Sequence, residues 1–512
     1  MIRGYINAII DSEGDLRVFS YIKRKEAIMK LNREFLKDKI LAGFIGKNIG
    51  GTMGTPYEGS QEMRDIKGFV TKPGEVLAND DLDLQLVWLY AMECEGPWKM
   101  SERVLSEYWQ TYITPHWNEY GIGKANALLG IAPPLSGELH NEAWKHSNGA
   151  WIRSEIWACL APGLPYVAMK YAFMDACCDH GYGEGTYAEL FTASLESMAI
   201  VNESKSIREL ICDALEYIPA DCRVTRAVRL VMDEYDKGTD YRTVRGLIVE
   251  QSKDLGYFQA PANIAFAVLG LVYGEGDFKK SMIYAINCGD DTDCTAATVG
   301  AFLGLYYGRA GIPGDWAEYI GDKIVTVSIN GNSHFYPDTC NDLAERAIDM
   351  IIPTLKANGI WCTIGDCENE ISESERASSE VKRELGITLS RGRYTLGDVD
   401  LLWGKAWVEF ESEPYIKPGE SLKFKITLHN KTLTSPKNVS VELLLPEGFT
   451  ADYRHNLYLE QWTGPNFVMS PMGSVEVTLT AGERVEQVNR VIAVLKAHDR
   501  GSSSFIEINI LG

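Results

Sequence analysis

Residues 289–308 read GDDTDCTAATVGAFLGLYYG, and the reading of this stretch decides the fold. Asp290, Asp291 and Asp293 fall within four positions, and a helix-length run of small and apolar residues follows at once. No charged residue interrupts that run from Thr295 to Tyr307. A helix apolar on every side belongs in the interior of a large helical bundle. The carboxylates ahead of it need a reason, because two unit charges about 4 Å apart repel by on the order of 4 kcal/mol at an effective dielectric of about 20.

The same design occurs upstream. Residues 78–92, ANDDLDLQLVWLYAM, carry Asn79, Asp80, Asp81 and Asp83 into another strongly apolar helix. Three readings compete for the two clusters. Asp and Asn cap helices, where they accept hydrogen bonds from unpaired N–H groups and meet the positive end of the dipole. They also form exposed acidic faces. Alternatively, the two clusters share a divalent site, since oxygen-only donor sets suit hard ions such as Mg²⁺, Mn²⁺ or Ca²⁺. Capping accounts for one or two carboxylates per helix, whereas a shared ion would cancel the repulsion of all of them.

Two weaker segments stand beside these. GKNIGGTMGTPYEG (46–59) has small residues at 46, 50, 51 and 54, a spacing that permits close helix packing, and ends in Glu58. HSNGAWIRSEIW (146–157) sets an Asn148-Gly149 turn one helical turn before Arg153. Such a turn presents backbone N–H groups and a guanidinium to an anionic ligand, or serves only as a turn.

Outward from these segments, the first 350 residues carry apolar positions at three- and four-residue spacing, beginning with KRKEAIMKLNREFLKDKILAGFIG from Lys23. Residues 366–386, DCENEISESERASSEVKRELG, are rich in Glu and Ser and read as a connector with one short exposed helix. After about residue 400 the period changes to two. SLKFKITLH, NVSVELLLP, SVEVTLT and SFIEINI alternate apolar and polar residues between Pro- and Gly-containing turns. The expected architecture is a large all-α domain over 1–365, a charged connector over 366–400, and an antiparallel immunoglobulin-like β-sandwich over 401–512.

Composition narrows the function. The 71 acidic residues outnumber the 50 basic ones for a net charge of −21, which argues against affinity for nucleic acid or anionic membranes. The first residues show no signal-peptide pattern, and no stretch reaches the roughly 20 apolar residues of a membrane span. Eleven cysteines include no paired CxxC set, so a cytoplasmic location is expected.

Taken in order, the four segments resemble the ADP-ribosylglycohydrolase family, which includes dinitrogenase reductase-activating glycohydrolase. The resemblance runs through Gly46 to Glu58, Asn79-Asp80-Asp81-Leu82, Ser147 to Arg153, and Gly289 to Cys294, then continues in YYGRAGIPGDW, covering roughly residues 35–355. It implies an all-helical domain with a two-metal centre, usually Mg²⁺, at the mouth of a cleft. Asn79, Asp80 and Asp81 would supply one ligand set, and Asp291, Asp293 and Cys294 the other. Glu58 falls on a glutamate beside the metals, and Asn148, Gly149 and Arg153 fall in the segment lining the substrate cleft. Five positions depart from the pattern. Asn79 replaces Thr or Ser, Cys294 replaces a ligating Thr, Gly51 stands where Asp is common, Leu82 replaces Thr, and Asp290 replaces Gly.

The expected activity is hydrolysis of an ADP-ribosyl or related ribosyl glycosidic bond. In that scheme Glu58, Asp81 and Asp291 act in catalysis, and Asn148, Gly149, Arg153 and Asp290 bind substrate. A nucleoside or carbohydrate substrate at the same metal centre, or a silent ADP-ribose-binding module, remain the alternatives. The sandwich is expected to serve packing, dimerisation or covering of the cleft.

Overall fold

The computed structural model describes residues 9–10, 16–17, 28–330, 335–371, 375–432, 435–461 and 471–512. Helix Thr292–Tyr307 is buried on all sides from Thr292 to Leu305, as its unbroken apolar run requires. Its closest companion is helix Arg33–Gly54. The two lie backbone against backbone along a stripe spaced by three and four residues. A Cβ placed on Gly46, Gly50 or Gly54 would stand less than 3.0 Å from the carbonyl oxygens of Gly300, Ala296 or Thr292 respectively. Any side chain larger than hydrogen at those positions would push the helices apart. The Thr292 hydroxyl donates to the Gly54 carbonyl at 2.8 Å, which locks the end of one helix to the start of the other.

Helix Arg33–Gly54 begins later than its periodicity suggests. Asn32 caps it, accepting the Phe35 N–H at 2.9 Å, and Met29–Asn32 is a strand paired in parallel with Cys362–Gly365. Residues 23–27, the start of the helical pattern, lie outside the described residues. Further helices, among them Asp80–Glu95, Pro165–His180, Glu184–Ile200 and Ala260–Tyr273, pack around this central pair into one apolar core. Within the acidic stretch after residue 366, helix Glu375–Leu389 buries Val381 and Leu385 in that same core. Among the described residues no helix is long and apolar enough to cross a membrane.

Two antiparallel sheets follow. One has the order Asn456–Leu459, Lys437–Leu444, Val488–Ala497, Ser504–Leu511; the other runs Thr395–Leu401, Gly404–Phe410, Ser421–Asn430, Met472–Thr480, Thr450–Tyr453. Their inner faces share one core, in which Ile426, Leu428 and Val477 meet Val441, Val491 and Ile508. The four strands read from alternation are all present, forming a helical domain followed by a β-sandwich. That second core is completed by Ile131, Leu135 and Leu139, which come from the helical part of the chain.

Candidate active site

The locked helix pair brings two distant segments together. Helix Arg33–Gly54 ends in the turn Thr55–Tyr57, which delivers Glu58, while helix Thr292–Tyr307 starts behind Asp291 and carries Asp293 in its first turn. One carboxylate oxygen from each of Glu58, Asp291 and Asp293 lies within 4.8 Å of the others. A second group, Asp81, Asp293 and Cys294, meets the same limit with its carboxylate oxygens and sulfur. Asp293 belongs to both. The first turn of helix Asp80–Glu95 supplies Asp80 and Asp81.

Glu58, Asp80, Asp291, Asp293 and Cys294 form the floor of a cleft of about 640 Å³, walled by Trp117, Glu119, Tyr120, Asn148, Gly149, Ile152 and Phe258, with Asp81 buried beside Asp293 and Cys294. Among the described residues none of its lining lies beyond Val327, so the described part of the sandwich contributes nothing to it. The floor is dry and anionic. Asp81 is 0 % exposed, Asp291 and Asp293 are each 4 % exposed, and Asp81 Oδ2, Asp291 Oδ1 and Asp293 Oδ1 are buried without a hydrogen-bond partner. Orphaned anionic oxygens of this kind are costly unless a cation or proton joins them.

The protonation equilibria record that cost. Burial, then the neighbouring charge of Asp293, pushes Asp80 up to about 6. Burial likewise holds Asp81 and Asp291 well above the usual carboxylate range and raises Asp293. Glu58, exposed at the cleft side, is pushed up to about 8, first by the charge of Asp293 and then by desolvation and Asp80. Three carboxylates with free oxygens, two helix N-termini and a shared aspartate fit a divalent cation. The donor chemistry is that of a hard ion at Glu58, Asp291 and Asp293.

The remaining residues singled out in the sequence divide. Asn148 bridges two walls: its Nδ2 donates to Asp291 Oδ2 at 2.7 Å, and its Oδ1 accepts the Trp151 indole N–H at 3.0 Å. Gly149 leaves room beside Glu119 Oε1 and Tyr120, both within 3.0 Å of a Cβ there. Arg153 does not reach the cleft. It is 0 % exposed, paired with Asp175 at 2.8 Å and Asp179 at 2.9 Å, and donates to the Gly149 carbonyl at 2.6 Å. It therefore braces the 148–149 turn from behind. Asp290, at φ +68°, also faces away. Its carboxylate accepts the Phe258 N–H at 2.9 Å and the Gln61 amide at 3.3 Å, tying together two loops at the cleft edge.

Asn79 serves as the cap of helix Asp80–Glu95, its Oδ1 accepting the Asp81 N–H at 2.8 Å. A Cβ on Gly51 would fall within 3.0 Å of the Asn79 amide nitrogen. The two departures at 51 and 79 are thus one structural change: the amide occupies space that a larger residue at 51 would need. Cys294 stands in the cluster, its thiol donating to Asp81 Oδ1 at 3.3 Å.

A family model described as ADP-ribosylglycohydrolase matches residues 32–351. The chain belongs to the ADP-ribosylglycohydrolase family. ADP-ribosylarginine hydrolase Tri1 of Pseudomonas putida (strain GB-1) is 37 % identical over 54 residues, which is 10 % of this chain and 15 % of that protein. The chain therefore matches a small part of that relative's length. A solved structure described as an ADP-ribosylglycohydrolase-related protein complex has a TM-score of 0.42 at 20 % identity, covering 63 % of this chain and 99 % of its own. The FixG-related protein from Vibrio parahaemolyticus has a TM-score of 0.18 at 9 % identity, covering 22 % of this chain and 97 % of its own.

Several residues of this family member's cleft carried no sequence signal. Tyr120 donates to Asp80 Oδ2 at 3.0 Å, and its ring stacks with Trp117, which is 51 % exposed at the mouth. Both belong to HWNEYG, a sequence without helical or strand period, although helix Asn118–Leu128 begins within it. Lys47 offered a signal: a cation inside a small-residue stripe. It is buried, bonded to Glu155 Oε1 at 2.7 Å and 3.9 Å from Asp81 Oδ2, and forms the one cationic neighbour of Asp81 among the described residues.

Proposed function

We propose that this chain is a divalent-metal-dependent glycohydrolase that cleaves an ADP-ribosyl or related ribosyl glycosidic bond. The observation that carries the reading is the set of three buried carboxylate oxygens left without hydrogen-bond partners, on Asp291 and Asp293 at the floor of the cleft and on Asp81 buried beside Asp293. Family membership supports the substrate class. Glu58, Asp291 and Asp293 would hold Mg²⁺, with Asp80 and Asp81 completing a second position. Bound cations would neutralise these carboxylates and polarise the oxygens of water and ribose beside them.

The chain's own groups do the rest. Glu58 reaches the cleft from the exposed side, and the carboxylate oxygen it does not give to the cation is the one placed to orient a water or accept its proton. Asn148 fixes the orientation of Asp291, and Tyr120 that of Asp80. Cleavage of a ribosyl bond passes through an oxocarbenium-like state. Trp117, Tyr120 and Phe258 give the walls flat apolar faces for a sugar or base. Arg153 and Asp290 act as positioning residues, the first for the 148–149 turn and the second for Phe258. The helical unit up to about residue 365 carries the reaction, in the cytoplasm, where its thiols stay reduced.

The test is product release from peptides bearing ADP-ribosylated arginine or serine, and from nitrophenyl glycosides and nucleosides, in Mg²⁺ or in EDTA. Release of ADP-ribose in Mg²⁺, lost in EDTA and in Asp291→Asn, is the expected result. Turnover of the other glycosides alone would reassign the substrate. Thermal stabilisation by ADP-ribose without any product would make the chain a binding module.

A further inference from the structure

The two groups of ligand atoms on the cleft floor share Asp293 but differ in chemistry. One presents oxygens from Glu58, Asp291 and Asp293, the other two carboxylate oxygens and the sulfur of Cys294. Oxygen alternatives near the sulfur are already committed. The Asp80 Oδ2 accepts the Tyr120 hydroxyl at 3.0 Å, and the Asn79 Oδ1 accepts the Asp81 N–H at 2.8 Å. The hydroxyl of Thr295, the next residue, turns back to the Thr292 carbonyl at 3.3 Å. What remains is Cys294, 5 % exposed, whose thiol donates to Asp81 Oδ1 at 3.3 Å, while Asp81 Oδ2 and Asp293 Oδ1 are both buried without a hydrogen-bond partner. Thiolate sulfur is a soft donor that selects ions such as Zn²⁺, while Mg²⁺ demands oxygen and sheds its water reluctantly.

We infer that the floor is a mixed-metal site, in which Asp81, Asp293 and Cys294 select a thiophilic divalent cation of the Zn²⁺ or Co²⁺ type beside a hard cation at Glu58, Asp291 and Asp293. This rests on the metal-dependent reading above and adds to it the identity of one ion. It makes Cys294 a specificity-determining ligand: the residue that departs from a hydroxyl donor sets which cation enters.

The test titrates Co²⁺ into the full-length wild type, Cys294→Thr and Cys294→Ser, and follows the thiolate-to-cobalt charge-transfer absorption in the near ultraviolet. Equilibrium dialysis against mixed Zn²⁺ and Mg²⁺ gives the metal content of each protein. The wild type should bind one Co²⁺ per chain with a charge-transfer band that both variants lose. Zn²⁺ affinity should fall by about tenfold or more in Cys294→Thr, the scale on which single changes around a metal act. Zinc-edge X-ray absorption of the wild type needs no variant, and should show one sulfur at about 2.3 Å. A band that persists in both variants, or a zinc shell of oxygen and nitrogen alone, overturns the assignment of Cys294. If Mg²⁺ still binds in that case, the metal-dependent reading survives. If no dication binds the wild type at all, both fall together.

Discussion

Replacing Asp293 by Asn tests whether the cleft floor is built for cations rather than for packing. Asp293 is the member common to both ligand groups, each with its atoms within 4.8 Å. At that separation and an effective dielectric of about 20, one neighbouring carboxylate charge costs about 3 kcal/mol. The floor relieves part of this by holding protons, since Glu58, Asp80, Asp81 and Asp291 are all raised. The metal-free Asn variant should therefore exceed the metal-free wild type by about 1–3 kcal/mol near neutrality. Loaded with cation at about 100 times its dissociation constant, the wild type should gain about 2.7 kcal/mol and the variant very little, so their order reverses. The pH dependence has a definite sign. Acids raised in the folded state retain protons that the unfolded chain releases, so wild type in EDTA should gain stability as pH falls from 8 toward 5. The variant should show a shallower gain. Urea denaturation followed by circular dichroism, in EDTA and in Mg²⁺, measures all three. A metal-free variant less stable than metal-free wild type would refute the reasoning, because it would make Asp293 a structural ligand of the protein itself.

Four further outcomes are expected. Gly50→Ala drives a methyl into the Ala296 carbonyl and should cost about 3 kcal/mol or more by urea denaturation, with loss of cation binding as Glu58 and Asp293 separate. Asp83, which accepts the N–H groups of Val327 and Ser328 at 2.6 and 2.7 Å, is raised by burial from 3.8 to about 7. Its folded form keeps a proton that the unfolded chain releases, so its contribution is lost as pH rises through that window. The stability of Asp83→Asn relative to wild type should rise between pH 4 and 8 by up to about 4 kcal/mol. Arg153→Met strands Asp175 and Asp179 in the core and should cost about 3–5 kcal/mol, read as a lower urea midpoint. Leu135→Ala should cost about 2–5 kcal/mol and, although it lies in the helical unit, should expose strands of the sandwich to limited proteolysis.

Sequence made legible what depends on period and on local charge. The unbroken apolar run after Asp293 could only be an interior helix, and the four alternating strands could only face a core on one side. Spacing at 46, 50 and 54 announced a close helix contact, though not its partner. What stayed hidden depends on orientation. Asp290 and Asp291 are adjacent, yet the positive φ of Asp290 turns its side chain toward Phe258 while Asp291 faces the cleft. No count of carboxylates separates them. Arg153 carries the same charge whether it meets a ligand or two buried aspartates. Strands Thr395–Leu401 and Gly404–Phe410 escaped because glycines and charged residues interrupt their alternation. The parallel pair of Met29–Asn32 with Cys362–Gly365 joins segments more than three hundred residues apart, a distance at which no local pattern speaks.

Among the described residues, one segment of the helical unit links the sandwich to the cleft. Helix Asn118–Leu128 begins at the cleft, where Trp117, Glu119 and Tyr120 form a wall. It ends where Ile131, Leu135 and Leu139 enter the core of the sandwich. The junction is tied by hydrogen bonds. Asn126 donates to the carbonyls of Ser136 and Leu139 at 2.7 and 2.8 Å, Asn509 donates to the Gly130 carbonyl at 2.9 Å, and the Gly397 N–H donates to the Pro133 carbonyl at 2.8 Å. Three buried aliphatic side chains, each contributing roughly 1.5–3 kcal/mol on burial, depend on the sandwich for their cover. Without it they would lie in water at the far end of the helix that holds Tyr120 against Asp80. The described part of the sandwich thus bears on the cleft without lining it: it holds one end of a wall whose other end sets the orientation of an acidic residue on the floor.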